Sequence, residues 1–458
     1  MVHSINWTTE LATKVAGAVL TDDASLAEVS TDFGRVVERK PAAVVRPVSP
    51  SDVVAVVKFA GRHSLNVSVR GCGHSQNGQS LSDQILLDIR GLDRILRVDE
   101  ARGQVVCQAG VTWRTLVDKL LPVGLSPPVL TNNLDVTVGG TLSTAGLGVA
   151  SWRSGTQADH CLGLEVVTGD GEIVQCAQGS ELFDAVRAGL GRFGVITEAT
   201  LELRRHQPRF RSFDLLYDDL GALFGDLKTL MDEERFDYLE SWCVPLPQGL
   251  KKVEGRRQPF AQWFFPLHCT VETGVSEVPV AGEKLAGLHY YKHSHTEDGE
   301  IGEFFSRLDP LFDLWKAGGF WDCAHPWMEC ILPWSASALY IGQMIAQMQP
   351  QFLTGGHILL WPARGRATSV PYLCRPDEEY MMGLGILPAV PRHLLDRALP
   401  RLKQASQAAT MLSGKRYLSG WLDFNASDWK AHFGAQWAKI GELKRKYDPL
   451  GVLGGFGA

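Results

Sequence analysis

The sequence predicts an α+β protein of more than one domain, and three observations carry the prediction. A chain of 458 residues exceeds what one hydrophobic core ordinarily serves, and its character changes near His206. Up to that point short strand-like runs alternate with amphipathic helix patterns. Beyond it a strand, a helix and another strand follow in "RFRSFDLLYDDLGALFGDLKTLMDEERFDYLESWCVPL". A match to the dinucleotide fingerprint, "GLGRFG" from Gly189 to Gly194, stands after the helical pattern "SELFDAVRAGL" and before the alternating "VITEATLEL". A Rossmann site needs the reverse order, strand before and helix after, so none is expected there.

The elements follow in order. From Pro41 a short apolar run leads to Ser51 and Asp52, residue types that cap a helix whose Val53, Val56, Val57 and Ala60 share one face. Leu65, Val67 and Val69 then alternate with polar residues as a strand, which ends in "RGCGHSQNGQ", Arg70 to Gln79. Three glycines there leave the His74 imidazole with almost no bulk to cover it. "QILLDIRGL" and "GQVVCQAGV" read as strands, and "TWRTLVDKLL" as a helix started by Thr112. In "LTNNLDVTVGGTLSTAGLG" glycines punctuate small hydroxylated residues, a composition that lets backbone amides approach an anion such as a pyrophosphate, or that marks a flexible loop. The text from Val244 to Glu300 is polar and assigns to no element. Its His289, His293 and His295 have a spacing that could hold a metal, but a solvated loop is the better reading, and no metal is expected. "GGHILLWPARGR" reads as a strand ending near Arg364, and the tail as a helix pattern that stops in glycines.

With 45% hydrophobic and 21% charged residues and no low-complexity tract, disordered, collagen-like and coiled-coil classes are excluded. A formal net charge of −6 without a long basic run gives no reason to expect nucleic acid, so the partner is a small molecule. Nine cysteines lie singly, with no C-x-x-C pair, as free thiols do in a reducing compartment. The apolar run "VAGAVL" is too short for a signal segment, and no run reaches the length of a membrane span. A soluble, cytoplasmic protein is expected. Serine-hydrolase elbow, H-E-x-x-H and Walker motifs are missing from the sequence.

Taken together, "STDFGRV", "RGCGHSQNGQ", "TVGGTLSTAGLG", "GLGRFGVITEATLEL", "FDYLES", "GFWDCAHPWMECILP", "RPDEE" and "KYDPLGVL" resemble the ordered signposts of cytokinin dehydrogenases, within the vanillyl-alcohol-oxidase-type flavoprotein superfamily. The resemblance runs from about Asp32 to Leu453. It implies a two-subdomain PCMH-type FAD-binding domain and a substrate domain with a large antiparallel sheet flanked by helices. The corresponding divisions are residues 1–205, 206–416 and a returning segment 417–458. It implies FAD attached covalently through His74, with Gly71, Cys72, Gly73, Ser75 and Gln79 lining the flavin. Thr137, Ser143, Leu147 and Ile196 would surround the pyrophosphate and adenine side, and Tyr417 would pack near the flavin. "TNNLDV" contains no cysteine for a second link, so a single link is expected.

The implied reaction takes hydride from the carbon beside a secondary allylic amine, and the imine then hydrolyses to adenine and an aldehyde. Oxygen or a quinone would take up the electrons. Three departures bear on the substrate. Asn132 stands where the family places a catalytic aspartate, and an amide cannot accept the proton. Glu240 matches a second substrate-facing carboxylate and becomes the expected acceptor; Asp135 lies nearby and reads equally well as a turn aspartate. Arg364 follows "LLWPA" where an asparagine is often found; facing the pocket it would bind a carboxylate or phosphate, and otherwise it is a solvated arginine. Asn132, Glu240 and Arg364 are therefore the catalytic candidates. The tail "LGGFGA" lacks the family's terminal P-G-Q. The first expectation is an FAD-dependent amine oxidoreductase of cytokinin dehydrogenase type. The alternative is a related enzyme acting on an alcohol or an anionic biosynthetic intermediate, and a third reading is a flavin-binding protein that has lost catalysis.

Overall fold

The computed structural model describes residues 7–454. The last four residues of the tail "LGGFGA", where the family's terminal P-G-Q is lacking, lie outside this range. Strands β1 (Ala18–Leu20), β2 (Ala43–Arg46), β3 (Val67–Arg70) and β4 (Ile85–Asp88) form a sheet in the order β1-β2-β4-β3, with β2, β4 and β3 parallel. The helix Pro50–His63 crosses between β2 and β3 and buries Val53, Val56, Val57, Phe59 and Ala60. It begins just before Ser51 and Asp52, with Ser49 as its cap residue and Pro50 in its first turn, where a missing N–H costs nothing. Asp52 instead accepts hydrogen bonds from the backbone of Ala16, Gly17 and Val48 and ties the N-terminal segment to the helix.

Strands β5 (Ile95–Asp99), β6 (Gln104–Gln108), β7 (Leu125–Ser126), β8 (Cys161–Val167), β9 (Ile173–Ala177) and β10 (Val195–Glu202) follow. All but β7 make an antiparallel sheet in the order β5-β6-β10-β8-β9, and β7 pairs with β11 (Arg204–Arg205). Ser180 caps the helix Glu181–Val186 that precedes β10, the order expected around "GLGRFG".

The remaining strands are β12 (Arg209–Tyr217), β13 (Tyr238–Val253), β14 (Arg256–Thr273), β15 (Lys292–Glu300), β16 (Met328–Pro333), β17 (His357–Arg364), β18 (Tyr380–Leu387) and β19 (Lys415–Arg416). They form one eight-stranded antiparallel sheet, β15-β12-β14-β13-β17-β18-β16-β19. Helices Leu220–Glu233, Trp334–Gln347 and Leu395–Met411 pack against it. Much of the stretch left unassigned from sequence is the outer part of the β13–β14 hairpin, which turns at Glu254 and Gly255, and the edge strand β15. Past Val244 the hairpin is mostly exposed on both faces of β13, so no apolar alternation marks it as a strand.

Two large cores hold the molecule. One gathers most of the apolar residues from Leu11 to Leu203 together with a returning set from Tyr417 to Leu453. The other lies between the large sheet and its helices, and Trp152 reaches into it from the first region. The last turn of chain closes on the first sheet: Val67 donates its N–H to the Val452 carbonyl at 2.8 Å, and the Asp448 carboxylate accepts from the backbone of Val452 and Leu453. Among the described residues no helix is long and apolar enough to cross a membrane.

Candidate active site

The loop after β3 is held from two sides. The segment Asp32–Gly34 lies along it, Phe33 N–H donating to Gly73 O at 2.8 Å and Gly34 N–H to Ser75 O at 3.1 Å. The buried Asp32 carboxylate accepts from Ser75 Oγ (2.9 Å) and Gly78 N–H (2.6 Å); burial outweighs these bonds and the nearby Arg70 and pushes its pKa up to about 6. On the other side Gln79 Nε2 donates to the carbonyls of Leu418 and Gly420, each at 2.9 Å, and Gln76 N–H donates to Ser419 O. Two glycines are obligatory. A Cβ at Gly71 would stand 2.1 Å from Thr137 Oγ1, and Gly73 has φ of +68° with the Arg70 guanidinium 2.4 Å from where its Cβ would be.

His74 stands at the head of an aromatic stack. Its ring centroid is 4.4 Å from Phe33, which lies parallel to His325 at 4.2 Å, which in turn lies parallel to Trp315 at 5.7 Å. Trp327 meets the His74 ring edge-on at 5.8 Å. Burial and the neighbouring His325 bring the His74 pKa down to about 4, so the imidazole is neutral at pH 7.

From His74 a continuous cavity of about 1020 Å³ runs through the molecule. Its wall is the glycine-rich segment 131–149 and Ile196 on β10. The backbone approaches closely there: a Cβ on Gly148 would strike Leu130 O at 1.9 Å, and one on Gly146 the Gln157 amide at 2.2 Å. Thr137 caps the single turn Val138–Leu142 and accepts from Gly140 N–H. Tyr417 is buried under this wall and donates its hydroxyl to Ala145 O at 3.4 Å.

The large sheet supplies to this cavity Glu240 on β13, Glu329 on β16, and His357, Leu359 and Trp361 on β17. Glu240 is 5% exposed. Its Oε1 accepts from Asn132 Nδ2 at 2.7 Å, its Oε2 lies 3.5 Å from Arg307 Nη2, and the same Nη2 donates to Asn132 Oδ1 at 2.7 Å. Burial raises the pKa of Glu240, but Arg307, His268, the Asn132 amide and His357 together outweigh it and hold the carboxyl below its ordinary value. His357 is neutral, burial bringing it down to about 4. Glu329, half-buried between Trp327 and Ser419, is raised by burial to about 7, against the opposing pull of Arg416.

The cavity therefore brings together Gly71, Cys72, Gly73, His74, Ser75, Gln79, Asn132, Thr137, Ser143, Leu147, Ile196, Glu240 and Tyr417, the residues singled out in the sequence. Arg364 is the correction. It does not line the cavity. Side chains alternate along β17, so His357, Leu359 and Trp361 face the cavity and Arg364 falls on the opposite side. There it is 5% exposed, donates to Met231 O and Asp232 at the C-terminal end of the helix Leu220–Glu233, and lies over the rings of Trp152 and Tyr380. Asp135 is exposed and paired with Arg114 at 2.5 Å. His289 pairs with Asp226, and among the described residues no three His, Cys, Asp or Glu side chains converge as a metal-holding group. Sequence reasoning missed Arg307, His357, Trp361 and Glu329. The alternation in "HILLWP" is a signal that pointed to two of these.

The shape and lining suit FAD. The volume is at the upper end for a ligand site. Trp327 Nε1 in the cavity wall lacks a hydrogen-bond partner within the protein. Comparison with known proteins agrees. Residues 41–177 match the family model of an FAD-binding domain, and residues 275–456 match that of the FAD- and cytokinin-binding region of cytokinin dehydrogenase 1. The chain is 31% identical to an uncharacterized oxidoreductase of the fasciation locus of Rhodococcoides fascians, over 96% of the chain and 98% of that protein. It is 31% identical to cytokinin dehydrogenase 6 of Oryza sativa subsp. japonica over 96% and 91% of the two chains. It is 29% identical to cytokinin dehydrogenase 1 of Arabidopsis thaliana over 93% and 80%.

Proposed function

The chain belongs to the cytokinin dehydrogenase family of FAD-dependent oxidoreductases, and from that premise we propose that it oxidises the carbon beside a secondary amine nitrogen of a cytokinin-type substrate. FAD, when bound, supplies the hydride acceptor. The observation that carries the reading is Glu240, a buried carboxylate held ionised in the same cavity as the His74 loop.

Glu240 is the hydrogen-bond acceptor for the amine N–H. A negative oxygen there draws positive charge away from the nitrogen as the neighbouring C–H bond breaks, which favours departure of hydride. Asn132 donates to that carboxylate and takes no proton itself. His357, Leu359 and Trp361 are the side chains that would wall the amine end against water, and Leu308 and Phe312 add apolar lining to the same cavity. His74, neutral at pH 7, keeps a ring-nitrogen lone pair for a single covalent link to the flavin, and the Phe33 and Trp327 rings fix its orientation.

The displacement of Arg364 from the cavity removes the side chain that would have held an anionic substrate, so the amine reading stands ahead of that alternative. We read residues 1–205 and 417–458 as the flavin-binding part and 206–416 as the substrate-binding part, with oxygen or a quinone as electron acceptor. All nine cysteines are free, which suits a cytoplasmic setting.

The test is anaerobic mixing of the yellow protein with isopentenyladenine. Bleaching of the visible flavin band is the expected result. A band that persists on a protein carrying its full flavin complement overturns the substrate assignment.

A further inference from the structure

We propose that Arg307 is the positioning residue of this site: one guanidinium orients the Asn132 amide and keeps the Glu240 carboxylate available to a neutral N–H donor. The inference rests on the reading of Glu240 as the acceptor. Its basis is a closed ring of three side chains drawn from three separate parts of the chain. Asn132 comes from the glycine-rich wall and Glu240 from β13. Arg307 follows the short helix Ile301–Phe305 and rests over the Phe304 ring at 4.9 Å.

An amide beside a carboxylate can present either its NH₂ or its oxygen, and the second arrangement is repulsive. Donation from Arg307 Nη2 to Asn132 Oδ1 at 2.7 Å leaves Asn132 Nδ2 for Glu240 at 2.7 Å and settles the choice. The groups that act most strongly on Glu240 are Arg307, His268, the Asn132 amide and His357. His268 is paired with Asp214 at 2.8 Å, and His357 is neutral. Arg307 is thus the permanent cation against this carboxylate.

A consequence for substrate choice follows from the charge count. With an amide at residue 132, one cation balances one carboxylate, and each oxygen of Glu240 retains acceptor capacity beyond its single neighbour. A neutral amine N–H can use that capacity. A substrate bringing its own carboxylate would meet Glu240 with the adjacent Arg307 cation already engaged. The site selects a neutral donor.

The sign of the pH effect is fixed by the balance on Glu240. Burial raises its pKa and Arg307 is the largest opposing influence, so removing Arg307 moves protonation of Glu240 to higher pH. In Arg307→Met the acid limb of the flavin-reduction rate against pH moves up by about one unit or more, a tenfold or larger change in proton affinity. Arg307→Lys restores most of the limb. A second, activity-free readout is a thermal-unfolding cycle of Arg307→Met and Glu240→Gln on the flavin-loaded protein at pH 8. Arg307→Met lowers Tm in the native background and much less beside Glu240→Gln. Equal losses in both backgrounds, or an acid limb that stays in place, overturn the proposal. If isopentenyladenine fails to bleach even the unaltered protein, the amine reading falls by itself, and the unfolding cycle still decides whether Arg307 and Glu240 are coupled.

Discussion

A carboxylate shut away from water stays charged only beside a cation or several donors. Glu240 has both, from side chains 108 residues upstream and 67 downstream of it in number. Neither partner can be inferred from the local text "FDYLES", whereas Glu240 itself was legible because that text is distinctive. The same contrast holds at His74. Its loop announces itself by glycine spacing, but the Phe33–His325–Trp315 stack that sets the ring plane is assembled from distant residues. If His74 carries the flavin, His74→Ala yields a protein whose yellow colour passes into the supernatant on acid precipitation, while in the unaltered protein it stays in the pellet. Colour that stays with the His74→Ala polypeptide would place the link elsewhere.

Elements were legible where one face is apolar. The helix Leu220–Glu233, the strand β17 and the order of helix and strand around "GLGRFG" all match their periodicity. The outer β13–β14 hairpin was not, since exposure on both faces erases the alternation. Arg364 shows the cost of ignoring parity along a strand: it lies an odd number of residues from the cavity-facing Trp361 and so points to the other side. Its place at the C-terminal end of a helix gives it a structural task, satisfying a terminal carbonyl and opposing the helix dipole. Arg364→Met is therefore expected to lower stability by roughly 1–3 kcal/mol, read as a lowered Tm, and to leave the rate of flavin reduction by substrate within about twofold. A selective rise in KM without loss of Tm would return Arg364 to the substrate.

For the whole molecule, the change in pattern near His206 falls just before Arg209, where the first strand of the large antiparallel sheet begins, and that sheet came from the resemblance. What no local pattern reveals is the closure of the tail onto the first sheet, a contact between Val67 and Val452. Tyr417, Leu418, Leu422, Trp429, Phe433, Ile440, Leu443, Val452 and Leu453 all belong to the first core. A chain ending at Arg416 loses these and exposes the apolar residues they cover, so it is expected to be insoluble or to bind no flavin. Absorbance near the visible flavin band of a purified 1–416 fragment checks this, and a soluble yellow fragment would contradict it. The same closure sets an order of events during biosynthesis. Emerging from the ribosome, the loop around His74 waits without Gln79's carbonyl partners at Leu418 and Gly420 until 339 to 341 further residues have been translated. A message truncated before Leu418 is therefore expected to yield a chain whose His74 loop lacks this hold.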